Sequence, residues 1–253
     1  MNGAVDIVVV GAGSAGIAAA VGSARAGCST LLLEQQAGAG GIGGFSGLTT
    51  LCGLYDDAGN FLNEGFAREF AEALQERRMP IKMGRVWVLP YRPEKFREVA
   101  ARFLSTTPKL QTRWQTAVQT VSTEGQRITS LNGMKVGAVI DCSGTAEVAR
   151  AIGAECLATD ESTQASAIVF PLQPVTREFK TPADVAQVLL PLARAGFPPL
   201  NFQPGLDPGT LTLKFTGDAG QVRDLIQFLR ANIAGFENCS TSQTEFVPTP
   251  RAR

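Results

Sequence analysis

The apolar residues near the amino end of the chain occur first as an unbroken run and then at helical spacing. The run "DIVVV" is rich in β-branched side chains, which is typical of a strand buried on both faces of a parallel sheet. The small residues of "SAGIAAAVGSARAG" carry an apolar stripe and predict a helix that ends at Gly27. A second apolar run, "STLLLE", predicts another buried strand, which finishes in an acid. Residues 6–34 therefore predict a strand, a tight turn, a helix and a second strand.

The next part of the chain changes from a glycine-rich pattern to helical spacing. Residues 38–53, "GAGGIGGFSGLTTLCG", contain too many glycines for a helix or an interior strand, so they predict a loop. Apolar side chains at helical spacing predict amphipathic helices within residues 63–79 and 92–105. The sequence "GRVWVLPY" at residues 84–91 predicts a strand between them.

A β-meander is predicted in the middle of the chain. Residues 109–144 read as one short strand followed by antiparallel strands, with turns near Glu124-Gly125 and Asn132-Gly133. The last of these strands, "VGAVIDCSG", returns to the core, and "TAEVARAIGAECL" predicts a helix that leaves it.

The pattern changes again near residue 158. The segments "QASAIVFPLQPV" and "GTLTLKFTG" predict strands of a different sheet, separated by a proline-rich passage at residues 197–209. An amphipathic helix is predicted within residues 218–236. We therefore expect an α/β domain at residues 1–158 and a smaller, partial α+β lobe at residues 159–253.

Composition narrows the chemistry that this chain can perform. Lys plus Arg and Asp plus Glu both number 23 in 253 residues, and there is no basic run with interleaved aromatics, so nucleic-acid binding is not expected. No apolar stretch approaches a membrane span or a signal peptide. The scattered cysteines lack a C-x-x-C pair, which favours free thiols in the cytoplasm. The chain has no histidine, so catalysis by a histidine-containing triad is excluded within it and no metal site is predicted.

The first turn carries a G-x-G-x-x-G pattern, made by Gly11, Gly13 and Gly16. In a dinucleotide site the first glycine allows the tight turn, the second lets the backbone approach a pyrophosphate, and the third lets helix and strand pack closely. Glu34 ends the second strand, where a carboxylate can bind both ribose hydroxyls of an adenosine. The alternative is an ordinary glycine turn with a surface glutamate. NAD and FAD both use this unit, and the acid argues only against the 2′-phosphate of NADP.

Four segments together resemble one known family. They are "VVVGAGSAGIAAA", the acid in "LLLEQ", the loop "GGIGGFSGLTTLCGLYD" and the strand and turn "AVIDCSGTAEVARAIGA". With them the chain resembles the FAD-dependent oxidoreductases of the glutathione-reductase-type flavin fold, strongly to about residue 158 and faintly beyond. The resemblance implies a Rossmann-like FAD/NAD(P)-binding domain with a parallel sheet and a β-meander, and it favours FAD as the cofactor.

The resemblance also implies roles for particular residues. The pyrophosphate is expected at the glycine turn and the start of the helix, the ribose at Glu34 with Gln35 beside it, and the adenine at the backbone of Val118. Gly43 and Gly44 are expected near the flavin side of the phosphates, and Ser143 and Gly144 form the small-residue turn that approaches the cofactor. The cofactor-binding residues implied in this way are Gly11, Gly13, Ser14, Ala15, Gly16, Glu34, Gln35, Gly43, Gly44, Val118, Ser143 and Gly144.

Three further residues are weaker candidates. Cys52 follows the glycine-rich loop, where a thiol could touch the flavin, but a small buried thiol that fills space is the favoured interpretation. Arg85 and Arg92 flank the strand sequence "VWVLPY" at residues 86–91 and could clamp an anionic substrate, although ordinary solvated arginines are favoured. No catalytic residue is assigned.

The resemblance leaves one expected part of the family's flavin site without a counterpart. Enzymes of this fold return to the nucleotide domain after the substrate lobe, and no second glycine-rich turn or terminal helix follows before Arg253. A second polypeptide or a second copy of the chain is therefore expected to complete the site. The leading hypothesis is an FAD-dependent oxidoreductase, or its FAD-binding part, that oxidises a small organic substrate. The alternatives are a non-catalytic FAD-binding subunit or degenerate fragment that needs a partner chain and, third, an NAD-dependent dehydrogenase.

Overall fold

The computed structural model describes residues 5–75, 80–156, 167–243 and 246. Within them the backbone separates into two compact units. Of the described residues, one unit comprises 5–45 and 50–156, and the other comprises 46–49, 167–243 and 246. The boundary expected near residue 158 falls in a segment outside the described residues and stays a prediction.

The first unit contains nine strands and five helices within the described residues. In chain order they are β1 (Val5–Val10), α1 (Ser14–Arg25), β2 (Thr30–Leu33), α2 (Gly41–Phe45), β3 (Thr50–Cys52), α3 (Phe66–Gln75), β4 (Ile81–Met83), β5 (Val86–Pro90), α4 (Pro93–Thr106), β6 (Leu110–Arg113), β7 (Val121–Glu124), β8 (Arg127–Leu131), β9 (Met134–Asp141) and α5 (Glu147–Ala151).

The central sheet of this unit has the strand order β6-β2-β1-β9-β8-β7. Strands β6, β2, β1 and β9 run parallel, whereas β7, β8 and β9 form an antiparallel meander. Strand β1 lies between β2 and β9, and Val8, Val9 and Val10 are buried. Val9 packs into one apolar cluster, with Ile17 of α1, while Val8 and Val10 pack into another. Coverage on both faces explains why β1 is an unbroken apolar run. The α/β fold with a mostly parallel sheet and a meander is confirmed.

Helix α1 ends where the sequence predicts. Gly27 has φ of +99°, its N–H donates to the carbonyl of Ala24, and the N–H of Cys28 donates to the carbonyl of Ser23. This pair of bonds is a Schellman motif, which satisfies the last helical carbonyls and favours glycine at the left-handed position.

The glycine-rich segment at residues 38–53 is not a loop throughout, so that prediction is wrong in part. It contains the short helix α2, and its end forms β3, which pairs antiparallel with β5. Strand β4 pairs with the other edge of β5 and completes a second, three-stranded sheet. Tertiary pairing and packing override the low intrinsic propensity of glycine for regular structure.

As far as the structure describes it, the second unit is a three-stranded antiparallel sheet with two helices. Its elements are β10 (Ile168–Leu172), α6 (Pro182–Arg194), β11 (Leu200–Pro204), β12 (Leu211–Phe215) and α7 (Gln221–Asn232). Strand β12 is central, and Leu211, Leu213 and Phe215 pack into one cluster with apolar residues of α6 and α7. The strands β10 and β12 and the helix α7 agree with the sequence predictions. Strand β11 and helix α6 were not predicted, and β11 lies in the proline-rich passage that was expected only to separate two strands.

No helix in the described parts of the chain is long and apolar enough to cross a membrane.

Candidate functional site

The turn between β1 and α1 is closed by backbone contacts that only glycine allows. Gly11 has φ of +95°, and a Cβ atom built on it would lie 2.4 Å from the carbonyl oxygen of Cys142. A Cβ built on Gly16 would lie 1.7 Å from the carbonyl oxygen of Gly11. Both separations are far shorter than van der Waals contact, so the turn requires glycine at these two positions.

Gly13 differs because its open side faces no atom of the part of the chain that the structure describes. A Cβ built there would have no such atom within 4 Å, and its φ of −76° is accessible to any residue. Gly13 is the N-cap of α1, and the first helical hydrogen bond runs from the N–H of Ile17 to the carbonyl of Gly13, 2.9 Å. The N–H groups of Ser14, Ala15 and Gly16 therefore precede the helical ladder. With the positive end of the helix dipole and no acid in the first turn, this end favours an anionic ligand.

Glu34 lies against the glycine turn and is buried, with 8% of its surface exposed. Its Oε2 accepts the N–H of Ala12 at 2.6 Å, and its Oε1 accepts the N–H of Gln36 at 2.8 Å. A carboxylate has about four lone-pair sites, so each oxygen can accept one more hydrogen bond. Gln35, beside it, is exposed. The second strand thus ends in an acceptor that is fixed in place and can still bind hydroxyls.

The second glycine-rich segment, residues 40–44, is joined directly to the first. The N–H of Gly40 donates to the carbonyl of Ala12 at 2.9 Å. A Cβ built on Gly41 would lie 2.9 Å from the Cα of Gly13. This close approach places the start of α2 beside the N-cap of α1.

Side chains that precede or lie on α4 hold the carbonyls of this second segment. The hydroxyl of Tyr91 donates to the carbonyl of Gly43 at 2.8 Å, and the guanidinium of Arg97 donates to the carbonyl of Gly44. Burial raises the pKa of Tyr91, so its hydroxyl stays protonated as a donor at neutral pH. A Cβ on Gly43 would lie 2.7 Å from the ring of Phe96. Sequence reasoning missed Tyr91, Phe96 and Arg97 as supports for this segment.

A third turn follows β9 and is organised by Asp141. One carboxylate oxygen accepts the N–H and the hydroxyl of Ser143, at 3.0 and 2.6 Å. The other accepts the N–H groups of Val148 and Ala149, at 2.9 and 3.1 Å, at the start of α5. Burial raises the pKa of Asp141, but these hydrogen bonds together outweigh burial, so the pKa lies below its ordinary value. The hydroxyl of Ser143 also accepts the N–H of Glu147, so it is already engaged within the turn.

The residues on either side of Ser143 contribute differently to this turn. Cys142 is half-buried against the glycine turn, and its N–H donates to the carbonyl of Val10 at 2.8 Å. Burial and, next, the nearby Asp141 raise the pKa of its thiol, so the thiol is not activated. Gly144 is exposed, with φ of +78°, and among the described residues no atom lies within 4 Å of a Cβ built on it. Gly144 therefore leaves the end of the turn open.

The Val118 segment is attached to the end of β2. The N–H of Thr116 donates to the backbone carbonyl of Glu34 at 2.9 Å. The half-buried Val118 packs against the cluster that contains Val8 and Val10 of β1. This contact places the segment on the same parallel strands that carry the glycine turn and the acid.

The structure therefore brings the predicted binding residues to one edge of the sheet, where β1, β2 and β9 have their carboxyl ends. In open α/β sheets this is the edge at which ligands bind. The other three candidates lie apart from these contacts. Cys52 is exposed, so the interpretation as a buried thiol is wrong. Arg85 is exposed, and Arg92 is the N-cap of α4.

The comparisons with known proteins agree with this geometry. The sequence profile of a family described as FAD dependent oxidoreductase matches residues 6–203. No curated protein sequence matches the chain.

Several solved structures share the fold. One is a geranylgeranyl bacteriochlorophyll reductase-like protein from Thermoplasma acidophilum, with a TM-score of 0.61, 14% identity, and coverage of 97% of this chain and 66% of that one. A second is p-nitrophenol 4-monooxygenase from Pseudomonas putida, with a TM-score of 0.58, 15% identity, and coverage of 98% and 68%. A third is a flavoprotein/dehydrogenase from Cytophaga hutchinsonii, with a TM-score of 0.57, 15% identity, and coverage of 97% and 66%.

The chain thus spans 66% to 68% of the length of these three proteins. At such low identity the likeness shows the fold alone, whereas the family profile covers most of the chain. This chain belongs to the FAD dependent oxidoreductase family, and its cofactor is FAD.

Proposed function

We propose that the chain is an FAD-dependent oxidoreductase, or its FAD-binding part, and that its first unit holds the ADP portion of FAD at the carboxyl edge of the parallel sheet. The observation that carries this proposal is the open face of Gly13 at the start of α1, where no atom of the described residues lies within 4 Å of a Cβ position. Every other glycine of the fingerprint is closely packed. The one open glycine faces the helix end at which a pyrophosphate is stabilised.

The residues around this opening fit the charged part of FAD. The N–H groups of Ser14, Ala15 and Gly16 bind the pyrophosphate oxygens, because they have no helical acceptor. Gly11 gives the turn its shape. The free lone pairs of the Glu34 carboxylate accept the ribose hydroxyls, with Gln35 at the rim of the site.

The remaining predicted residues border the two ends of the cofactor. Gly43 and Gly44 lie on the flavin side of the phosphates. The hydrogen bonds from Tyr91 and Arg97 to their carbonyls fix the path of the segment there. Ser143 shapes its turn through Asp141, and Gly144 leaves room for the cofactor at the end of that turn. Val118 meets the adenine through its backbone.

The reaction we propose is the oxidation of a small organic substrate. FAD, when bound, would accept the hydride or the electrons from the substrate. The protein would bind and orient FAD and the substrate and set the electrostatic environment of the flavin. The first domain would end near residue 158, with the substrate lobe after it. A cytoplasmic location and a second polypeptide or second copy of the chain as partner stay predictions.

The cofactor proposal is tested with the purified chain and its visible absorption spectrum. We expect the protein to carry flavin as isolated, or to acquire it when the apoprotein is titrated with FAD. We expect NAD not to displace it. Acid precipitation distinguishes the mode of attachment, because pigment that stays in the pellet is covalently bound. A folded protein that binds no FAD in calorimetry would contradict the proposed site.

The oxidoreductase proposal needs a separate readout. The flavin-loaded protein is mixed anaerobically with a panel of small alcohols, amines, amino acids and hydroxylated aromatics, and the absorption of oxidised flavin is followed. Bleaching by one class supports the enzyme and identifies the substrate class. Flavin that is reduced by dithionite but by no member of the panel would favour a non-catalytic FAD-binding subunit.

A further inference from the structure

The side chain of Asn132 holds the backbone of a segment that is close to it in space but not in sequence. Asn132 has φ of +47° and begins the turn from β8 to β9, with Gly133 after it at φ of +74°. Its Oδ1 accepts the N–H of Gln119 at 2.7 Å and the N–H of Thr120 at 3.1 Å. Its Nδ2 donates to the carbonyl of Ala117 at 2.9 Å. A fourth bond, from the N–H of Asn132 to the carbonyl of Thr120, closes the contact at 2.8 Å.

These bonds determine where the polar backbone groups of Val118 point. In a trans peptide the carbonyl and the N–H lie on opposite sides. The carbonyl of Ala117 points at Asn132, so the N–H of Val118, in the same peptide, points away from it. The N–H of Gln119 also points at Asn132, so the carbonyl of Val118 points away as well. Val118 thus presents a donor and an acceptor on the side opposite to Asn132.

Neither of these groups is used by the part of the chain that the structure describes. No hydrogen bond joins the N–H or the carbonyl of Val118 to another described residue. Its side chain, in contrast, packs against the apolar cluster that contains Val8 and Val10. The segment begins at Thr116, whose N–H is bonded to the carbonyl of Glu34. An adenosine whose ribose is bound by the Glu34 carboxylate therefore has its base within reach of the Val118 backbone.

We infer that Asn132 is a positioning residue that aims the backbone of Val118 at the adenine, and that this geometry makes the site select adenine over hypoxanthine. The inference rests on the proposed FAD site. Adenine offers an amino donor next to a ring-nitrogen acceptor, which complements a backbone carbonyl next to an N–H. Hypoxanthine replaces the amino donor with an oxygen acceptor, so the carbonyl of Val118 would face another acceptor. Without Asn132 the segment loses three side-chain hydrogen bonds and its fixed direction.

The test uses two probes, ADP and inosine diphosphate (IDP), which carries hypoxanthine in place of adenine. The affinity of the flavin-free full chain for each is measured by isothermal titration calorimetry. The wild-type chain is expected to bind ADP at least about tenfold more tightly than IDP, since one correctly paired base edge is worth roughly a factor of ten or more. In Asn132→Gly the turn keeps its left-handed residue, but the amide is lost. We expect the ADP affinity to fall toward that of IDP, so that the ratio approaches one.

Two further variants separate positioning from folding. N132D keeps acceptors for Gln119 and Thr120 but removes the donor to the carbonyl of Ala117, so it is expected to lower the ratio while retaining the turn. If thermal melting shows the glycine variant to be unfolded, the ratio is read from N132D. The matched control is Asn232→Ala in α7 of the second unit, whose amide also donates to a backbone carbonyl, and its ratio should equal that of the wild type.

The outcomes distinguish the inference from the proposal beneath it. A wild-type chain that binds neither FAD nor ADP would overturn the proposed site and the inference with it. A wild-type chain that binds FAD and ADP but binds IDP equally well would overturn only the inference. A loss of ADP and IDP affinity by the same factor in both Asn132 variants would show that Asn132 serves the fold alone.

Discussion

The two glycine-rich segments of the first unit, residues 11–16 and 40–44, use glycine for different physical reasons. In the first segment backbone meets backbone, because a Cβ on Gly16 would lie 1.7 Å from the carbonyl oxygen of Gly11. At the end of the second segment, Gly43 and Gly44, the nearest neighbours are side chains, whereas Gly41 at its start still meets the Cα of Gly13. A Cβ on Gly43 would meet the ring of Phe96 at 2.7 Å, and one on Gly44 would meet the Cγ of Arg97 at 2.9 Å.

This difference determines how readily each segment can be changed and how readily it can be predicted. Backbone atoms of a tight turn cannot move without moving the strand and the helix that they join. Side chains on a neighbouring helix can adopt other rotamers. The first segment should therefore tolerate no side chain at Gly11 or Gly16, whereas Gly44 of the second should accept a methyl group at a modest cost in stability.

The largest effect is expected for Gly16→Ala. The added methyl group overlaps the carbonyl of Gly11. Ordinary overpacking of a core costs about 1–3 kcal/mol, and this overlap with backbone is more severe. We therefore expect a loss of at least about 4 kcal/mol in the free energy of unfolding, or failure to fold. Chemical denaturation of the apoprotein measures this loss. The matched control is Gly22→Ala on the same helix, where no atom of the described chain lies within 4 Å of the Cβ, and it should be neutral or slightly stabilising. Equal melting temperatures for the two variants would refute the backbone-contact account.

A smaller loss of stability is expected when Glu34, whose carboxylate accepts a hydrogen bond from the first segment, is replaced. Glu34→Gln presents an amide NH₂ to one of the two N–H groups that the carboxylate now accepts, from Ala12 and Gln36. One of these two donors, the buried N–H of Ala12 or the less buried N–H of Gln36, then lacks an acceptor, which costs about 1–2 kcal/mol of unfolding free energy. Urea denaturation of the apoprotein measures it. A variant with unchanged stability would show that these two bonds do not support the turn.

The second segment gives the contrasting case in Gly44→Ala. The methyl group contacts the flexible stem of Arg97, which can move at the expense of its hydrogen bond to the carbonyl of Gly44. We expect a loss of about 1 kcal/mol in the free energy of unfolding, well below that of Gly16→Ala. A loss as large as that of Gly16→Ala would remove the distinction between the two segments.

A pH experiment tests the third turn, which is held by charge. The pKa of Asp141 is lowered in the folded state, so the carboxylate contributes stability above its ordinary pKa of about 3.9. That contribution is lost as the pH falls through the lower folded value. We expect Asp141→Asn to cost about 1 kcal/mol near neutral pH and the difference from wild type to shrink below about pH 4. A difference that does not change with pH would contradict the charged role of Asp141.

The parts of the fold that sequence predicts well are those with a local cause. The strand β1, the helix α1 and its end at Gly27 follow from an apolar run, a small-residue stripe and a left-handed glycine. The turns of the meander follow from Glu124-Gly125 and Asn132-Gly133, where the second residue of each pair has positive φ. In each of these cases the deciding residues are neighbours in the sequence.

The features that sequence reasoning missed mostly depend on distant residues. The short helix α2 forms in a segment whose carbonyls are held by Tyr91 and Arg97. Strand β11 forms because its residues pair with β12, despite the prolines around it. Helix α6 is different, because Thr181 and Asp184 form a capping box at its start, a local signal that could have been recognised.

The candidate site shows the same division. Spacing alone indicated Gly11, Gly13, Gly16 and Glu34. The sequence "DCSG" indicates a turn near the cofactor, but it does not reveal that Asp141 holds this turn together. The reason is that the four hydrogen bonds of its carboxylate reach groups up to eight residues away. The role of Asn132 depends on its contact with residues 117–120, which only the folded meander brings to it.

The most direct test of the proposed site is Gly13→Ala, at the fingerprint glycine whose open side faces none of the residues that the structure describes. Its φ of −76° suits alanine, and no atom of the described residues lies within 4 Å of the new methyl group, so the apoprotein should lose no more than about 1 kcal/mol of unfolding free energy, the usual preference for glycine over alanine at an N-cap. The methyl group does occupy the space through which the backbone approaches the pyrophosphate. Calorimetric titration with FAD should therefore show an affinity at least about tenfold weaker than that of the wild type. Unchanged FAD affinity in a normally folded variant would contradict the proposal that this turn binds the cofactor.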